Sequence, residues 1–221
     1  MDMQLLTYWQ QQFISYLTTH ANSDDGAHDM GHFNRVWQNC RAINQTEGNK
    51  ADDLVLLTAA YFHDLVSFPK NHPDRSCSSL LSADQTAVLL KEHFTGFPAD
   101  KIAAVHHAIH AHSFSAGIPT ETYEAQILQD ADRMEALGAI GIARTFYTAG
   151  LMHSSMFNAE DPMGENRPLN DSRYALDHFT VKLLQLPALM NTAAGKQMAR
   201  ANADYLVQFR EKMCREITGE W

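Results

Sequence analysis

Nine consecutive residues, Leu54-Val-Leu-Leu-Thr-Ala-Ala-Tyr-Phe62, carry no charge and run straight into His63 and Asp64. A helix that is apolar on every side belongs in a core. The rest of the chain must therefore wrap around this segment. The His-Asp pair then stands where the core meets something else. Imidazole is a common metal ligand, and a neighbouring carboxylate adds charge and oxygen. A lone His-Asp dipeptide is equally well explained as a satisfied helix end, so its meaning depends on what surrounds it.

What surrounds it is helical. Leu5, Leu6, Trp9, Phe13, Tyr16 and Leu17 recur with a helical period over 3–19. A second helix begins near Asp29, carries Phe33, Val36, Trp37, Cys40 and Ile43 on one face and ends at Gly48. His28 and His32 lie four apart, with His32 beside that face. Asp52 or Asp53 caps the third helix, which ends by Pro69. A fourth helix follows the 76–79 caps, and Gly96 and Pro98 break it. A fifth starts at Pro98 and Asp100, with His106 and His110 on one face and His107 on another. The sixth starts near Thr120, carries Asp130 and Asp132, and runs on through Phe146. Residues 150–171 read as a long loop, and 172–190 and 192–217 as two closing helices. No stretch alternates with a period of two. The expectation is an all-α fold, one single-domain helical bundle over 1–221.

Composition excludes several classes. A formal net charge of −9 and the lack of a basic face argue against binding a nucleic acid polymer. No apolar run approaches the ~20 residues of a membrane span. The first ten residues do not resemble a signal peptide. Cys40, Cys77 and Cys214 are scattered, in no metal-like spacing, which fits unpaired thiols and a cytoplasmic setting.

Four groups stand out: His32, His63, Asp64 and Asp132, each at or near an apolar face. Two imidazoles and two carboxylates suit a borderline first-row cation such as Mn²⁺, Fe²⁺, Co²⁺, Ni²⁺ or Zn²⁺ better than Mg²⁺. An octahedral ion with four protein ligands keeps two positions for water and a phosphoryl oxygen.

The ordered set His32-x-x-Arg35-Val36, then His63-Asp64 after Thr-Ala-Ala-Tyr-Phe, then Gln129-Asp130-Ala131-Asp132-Arg133, resembles the HD-domain phosphohydrolase superfamily. The motifs cover roughly residues 25–150. The Asn71-His72-Pro73-x-Arg75, Ala111-His112-Ser113 and Arg167-Pro168-Leu169 stretches look like its small single-domain bacterial members. The resemblance implies an all-helical HD-type bundle and a divalent metal, Mn²⁺ favoured, held by His32, His63, Asp64 and Asp132. It also implies hydrolysis of a phosphoester or phosphoanhydride by metal-activated water. His28 is the rival of His32, which the Arg35-Val36 pair favours. His63 and Asp64 thereby become catalytic as well as ligating, and Asp130 becomes a candidate for orienting a ligand histidine or a water.

Lys70, His72 and Arg75 place three cations in six residues directly after the metal helix, a candidate phosphate grip; a solvated loop explains them as well. Arg35, one turn after His32, and Arg133 are candidates for the same cleft, against ion pairs within the fold. His107 and His112 are candidates for substrate contact or acid catalysis, and they leave a second metal open. Size and acidity favour a small phosphorylated substrate, a nucleotide, over a polymer or a membrane. Two alternatives use the same residues: a dinuclear-iron oxygenase of HD type, and a non-catalytic metal- or nucleotide-sensing module.

Overall fold

The structure is a computed structural model that describes residues 3–20, 29–68, 72–113 and 116–220. Lys70 and His28 lie outside the described residues. Among the described residues the fold is all-helical, as expected, and the one β-type pairing is an isolated bridge between Ser155 and Tyr174. The residues group into two compact units, Met1–Asp132 and Arg133–Trp221.

In the first unit the apolar segment forms α3 (Asp53–Phe62), buried at every position from Leu54 to Phe62. Helices α1 (Met3–His20), α2 (Met30–Thr46), α4 (Ser78–Glu92) and α5 (Ile102–His112) pack against it. Burying a Leu or Phe side chain stabilises by about 1.5–3 kcal/mol. The row of such residues on α3 therefore fixes where His63 emerges. Phe13 of α1 meets Phe62 edge-on, with ring centroids 5.0 Å apart. Side chains set both helix starts: the Asp29 carboxylate accepts the His32 amide at 2.8 Å, and Asp52 accepts from the Leu54 and Val55 amides. The first bond places His32 in the first turn of α2. Helix α6 (Tyr123–Met134) carries Asp130 and Asp132, and the Asn39 side chain of α2 donates to its Ala131 carbonyl.

The second unit holds α7 (Gly138–Leu151), α8 (Ala175–Val181), a 3-10 turn over 183–189 and α9 (Ala193–Thr218). Leu176, Phe179, Leu183, Ala199 and Leu206 form its core. Arg167 anchors the long loop over 152–174. Its two terminal nitrogens hold both oxygens of Asp177 at 2.6 and 2.7 Å, and the Asn170 amide donates to the same carboxylate.

Three expected boundaries differ. Helix α3 stops at Phe62, not near Pro69. The Val66 amide and carbonyl are both taken by the Ser82 hydroxyl of α4, at 3.0 and 3.2 Å, so the chain leaves the helix before proline matters. The long sixth helix is two helices, because Gly138 adopts φ +63° and turns the chain between Met134 and α7. The 172–190 segment is not one helix either, and Pro187 lies inside its 3-10 portion.

Candidate metal centre

Because α3 ends at Phe62, His63 and Asp64 fall in a turn. Here His63 Nε2 lies 3.6 Å from Asp64 Oδ2. The His63 ring is held from behind: Nδ1 lies 3.0 Å from the Ala60 carbonyl. A carbonyl only accepts, so Nδ1 carries the proton and Nε2 faces forward. His112, at the end of α5, repeats the device with Nδ1 2.6 Å from the Ile109 carbonyl.

His32 Nε2 faces His63 Nε2 at 3.2 Å, and Asp132 Oδ1 is 3.7 Å from each nitrogen. His32, His63 and Asp132 thus present three donor atoms within 4.8 Å of one another. His63, Asp64 and His112 form a second such group, with His112 Nε2 3.6 Å from Asp64 Oδ1. Ligand atoms about 2.1 Å from a common ion stand roughly 3.0–3.4 Å apart in tetrahedral or octahedral geometry. The two facing imidazoles fit that spacing. The two groups share His63 Nε2, which has one lone pair and so serves one ion.

The local field favours a cation. Burial pulls the His63 pKa down, but Asp64 and Asp132 outweigh it and raise it to about 9. Burial pushes the Asp132 carboxyl up, yet His63, His32 and His112 hold it well below the usual carboxylate range. Burial first, then Asp132 and Asp130, drives the Cys40 thiol far above its ordinary value, so it stays a neutral packing group. The donor set and its field fit a divalent borderline ion.

The remaining sequence candidates are placed differently. Asp130 is fully buried on α6, belongs to neither donor group and lies near enough to Cys40 to act on its thiol. Arg35 is half-buried on α2; a Cβ at Gly31 would come within 3.1 Å of its Nη1 and 3.0 Å of Asp29 Oδ1, so the glycine makes room for both side chains. His72 stacks on Phe68 with centroids 4.5 Å apart, and Arg75 donates to the Phe68 carbonyl at 3.1 Å. Both brace their own loop. His107 Nε2 accepts the Glu121 amide at 3.1 Å and is not in either donor group. Arg133 donates to the Leu189 carbonyl, within the second unit. Of the candidates for substrate contact, His112 is the one that a donor group includes.

Sequence reasoning does not single out Ser82, which ends α3, or the role of Gln129, whose side chain donates to the Ala111 carbonyl beside His112 at 2.9 Å. Gln129 is buried among apolar residues of α6, whereas Ser82 sits on a buried α4 face that also carries Ser79 and Thr86, so nothing local marks it.

An all-helical chain with a buried His/Asp metal cluster defines the class of HD-type metal-dependent phosphohydrolases. Residues 29–137 match the HD domain. The Bacillus subtilis protein YpgQ is 30% identical over 214 residues, covering 95% of this chain and 94% of YpgQ. An HD-superfamily hydrolase from Bacillus thuringiensis superposes with a TM-score of 0.73 at 28% identity, covering 96% of this chain and 97% of that one. The structure of YpgQ in complex with ADP gives a TM-score of 0.71 at 28% identity, over 96% and 100% of the two chains. This chain belongs to the HD-domain superfamily.

Proposed function

We propose that the chain hydrolyses a small phosphorylated substrate, a nucleotide, at a phosphoester or phosphoanhydride bond, with His32, His63, Asp64 and Asp132 holding one divalent ion. The observation that carries this reading is the convergence of the His32, His63 and Asp132 donors with Asp64 beside them. The ADP bound to the structurally similar YpgQ supports a nucleotide as the substrate class. The ion, when bound, supplies a lowered water pKa and positive charge against a phosphoryl oxygen.

The chain's own residues do the rest. The Ala60 carbonyl keeps His63 in the tautomer that can ligate. Asp64 reaches His63 with one oxygen and His112 with the other, so it links the ion's position to His112. His112, its Nδ1 bound to the Ile109 carbonyl, presents Nε2 towards the same point and is placed to contact a leaving or incoming phosphoryl oxygen. Asp130, fully buried on α6 two residues before Asp132, is proposed to orient a ligand histidine or a water. Manganese is the favoured ion on the mixed nitrogen–oxygen donor set.

The test is a panel of nucleoside mono-, di- and triphosphates, cyclic nucleotides and a generic phosphodiester with Mn²⁺, Co²⁺, Ni²⁺, Mg²⁺ and Zn²⁺. Released phosphate and pyrophosphate are both followed, for wild type and for His63→Ala/Asp64→Ala. Metal-dependent turnover that the double variant loses supports the reading. Equal turnover by both proteins sinks it. A second ion would have only Asp64 and His112 of the second donor group, since His63 serves one ion; about two irons per chain and O₂ consumption without phosphate release would establish the alternative, a dinuclear iron oxygenase, instead.

A further inference from the structure

Outside the cluster just described, α4 and α5 bring a second set of ligating side chains together. His106 and His110 lie one turn apart on α5 and so share a face. Their rings meet edge to face with centroids 6.2 Å apart. Asp84 of α4 reaches across to the same face, its Oδ1 2.8 Å from His106 Nε2. Both groups of that pair are open to solvent, with side-chain exposures of 32% for His106 and 58% for Asp84. His110 makes no hydrogen bond among the described residues. His107 does not compete for the position, since its Nε2 is occupied by the Glu121 amide.

We propose that Asp84, His106 and His110 form an accessory surface site for a borderline divalent cation such as Zn²⁺, Ni²⁺ or Cu²⁺. The 2.8 Å gap between His106 Nε2 and Asp84 Oδ1 is close to the roughly 3.0 Å that separates two neighbouring ligands on one ion. An ion there replaces the hydrogen bond with two coordinate bonds. The third ligand is His110, half-buried and four residues from His106 on the same helix face, the spacing at which two helical imidazoles share one ion; its ring must turn to reach it. Two imidazoles and a carboxylate favour zinc, nickel or copper over magnesium or calcium. Water fills the remaining positions. The ion clips α5 to α4, and α5 is the helix that ends in His112. The inference does not rest on the phosphohydrolase reading.

The test uses tag-free full-length protein carrying His63→Ala/Asp64→Ala, so that the buried cluster is disabled. It is titrated with Zn²⁺ by calorimetry, and bound metal is counted after dialysis. The same protein with His106→Gln/His110→Gln added is the comparison, with circular dichroism confirming that both are folded. The expected result is one equivalent of zinc bound by the first protein and lost from the second. Asp84→Asn weakens the same equivalent by about tenfold, and zinc protects His106 and His110 from carbethoxylation, read by mass spectrometry. Equal zinc binding by the two proteins, or no protection of the two histidines, overturns the proposal.

Discussion

His63 is the residue on which most of the chemistry turns, because both nitrogens of one ring are committed. Nδ1 is spent on the Ala60 carbonyl, and Nε2 faces His32, Asp64 and Asp132. Metal and proton compete for that nitrogen. Its pKa in the fold is raised from 6.5 to about 9 by the two carboxylates, against burial. A raised pKa stabilises the fold fully below about 6.5 and stops doing so as pH rises through about 9. Two outcomes follow. Chemical denaturation of metal-stripped protein should show stability falling from about pH 6.5 to about 9. Calorimetry over the same window should show metal affinity rising, with proton release, until His63 is already neutral. A second residue sets the spacing of the helices that carry His32 and His63. The Tyr61 hydroxyl donates to Asn34 on α2 and accepts from Gln10 on α1. Tyr61→Phe removes both bonds from a buried position. Urea unfolding should show a loss of about 1–2 kcal/mol, with metal affinity reduced as well.

At the scale of elements, glycines on one helix make opposite forecasts. A Cβ at Gly141 would lie 2.3 Å from the Ala136 backbone, whereas a Cβ at Gly150 meets nothing within 4 Å. Both belong to α7. Gly141→Ala should cost about 1–3 kcal/mol by forcing the 134–138 turn away. Gly150→Ala should be neutral or stabilise by up to about 1 kcal/mol through helix propensity. Thermal melts of the two variants check the contrast. The Arg167–Asp177 pair is the other element-scale device. Burial raises the Asp177 carboxyl, but the Arg167 fork and the Asn170 amide outweigh it and hold the pKa below the usual value. Its stabilising effect is therefore present above about pH 4 and is lost as pH falls through the lowered value. Limited proteolysis should show the 152–174 loop opening first on acidification. Arg167→Ala should open it at neutral pH. The elements also show which signals a sequence carries. The periods of α1 and α2, the start of α2 near Asp29 and a cap at Asp52 or Asp53 were readable because their causes lie within a few residues. The end of α3 was not, because Ser82 holds Val66 from 16 residues further along the chain. His72 and Arg75 as a phosphate grip and His107 as a substrate contact or acid were read from residue type alone: the carbonyl, ring and amide beside them come together only in the fold. His32, His63, Asp64 and Asp132 stood out because their order along the chain is a motif, although nothing local brings them into contact.

At the scale of the whole molecule, a net charge of −9 surrounds a site built to hold a cation. A phosphorylated substrate approaches against that field. Raising ionic strength to physiological levels should therefore leave kcat/KM for a nucleoside triphosphate unchanged or higher, whereas a basic-faced enzyme would lose efficiency. Steady-state kinetics across a potassium chloride series would decide it. Among the described residues, no helix is long and apolar enough to cross a membrane. The early stop of α3 has a last implication. The nine residues before His63 are buried at every position, and one more turn would satisfy further backbone groups. That turn would also re-aim the Asp64 carboxylate, which here reaches His63 with one oxygen and His112 with the other. Local stability and ligand geometry therefore pull in opposite directions at this one junction, and Ser82 is the arbiter. A variant made sturdier by letting the helix continue, as Ser82→Ala would allow, should melt no earlier and yet bind metal less well: a protein improved as a fold and spoiled as a catalyst.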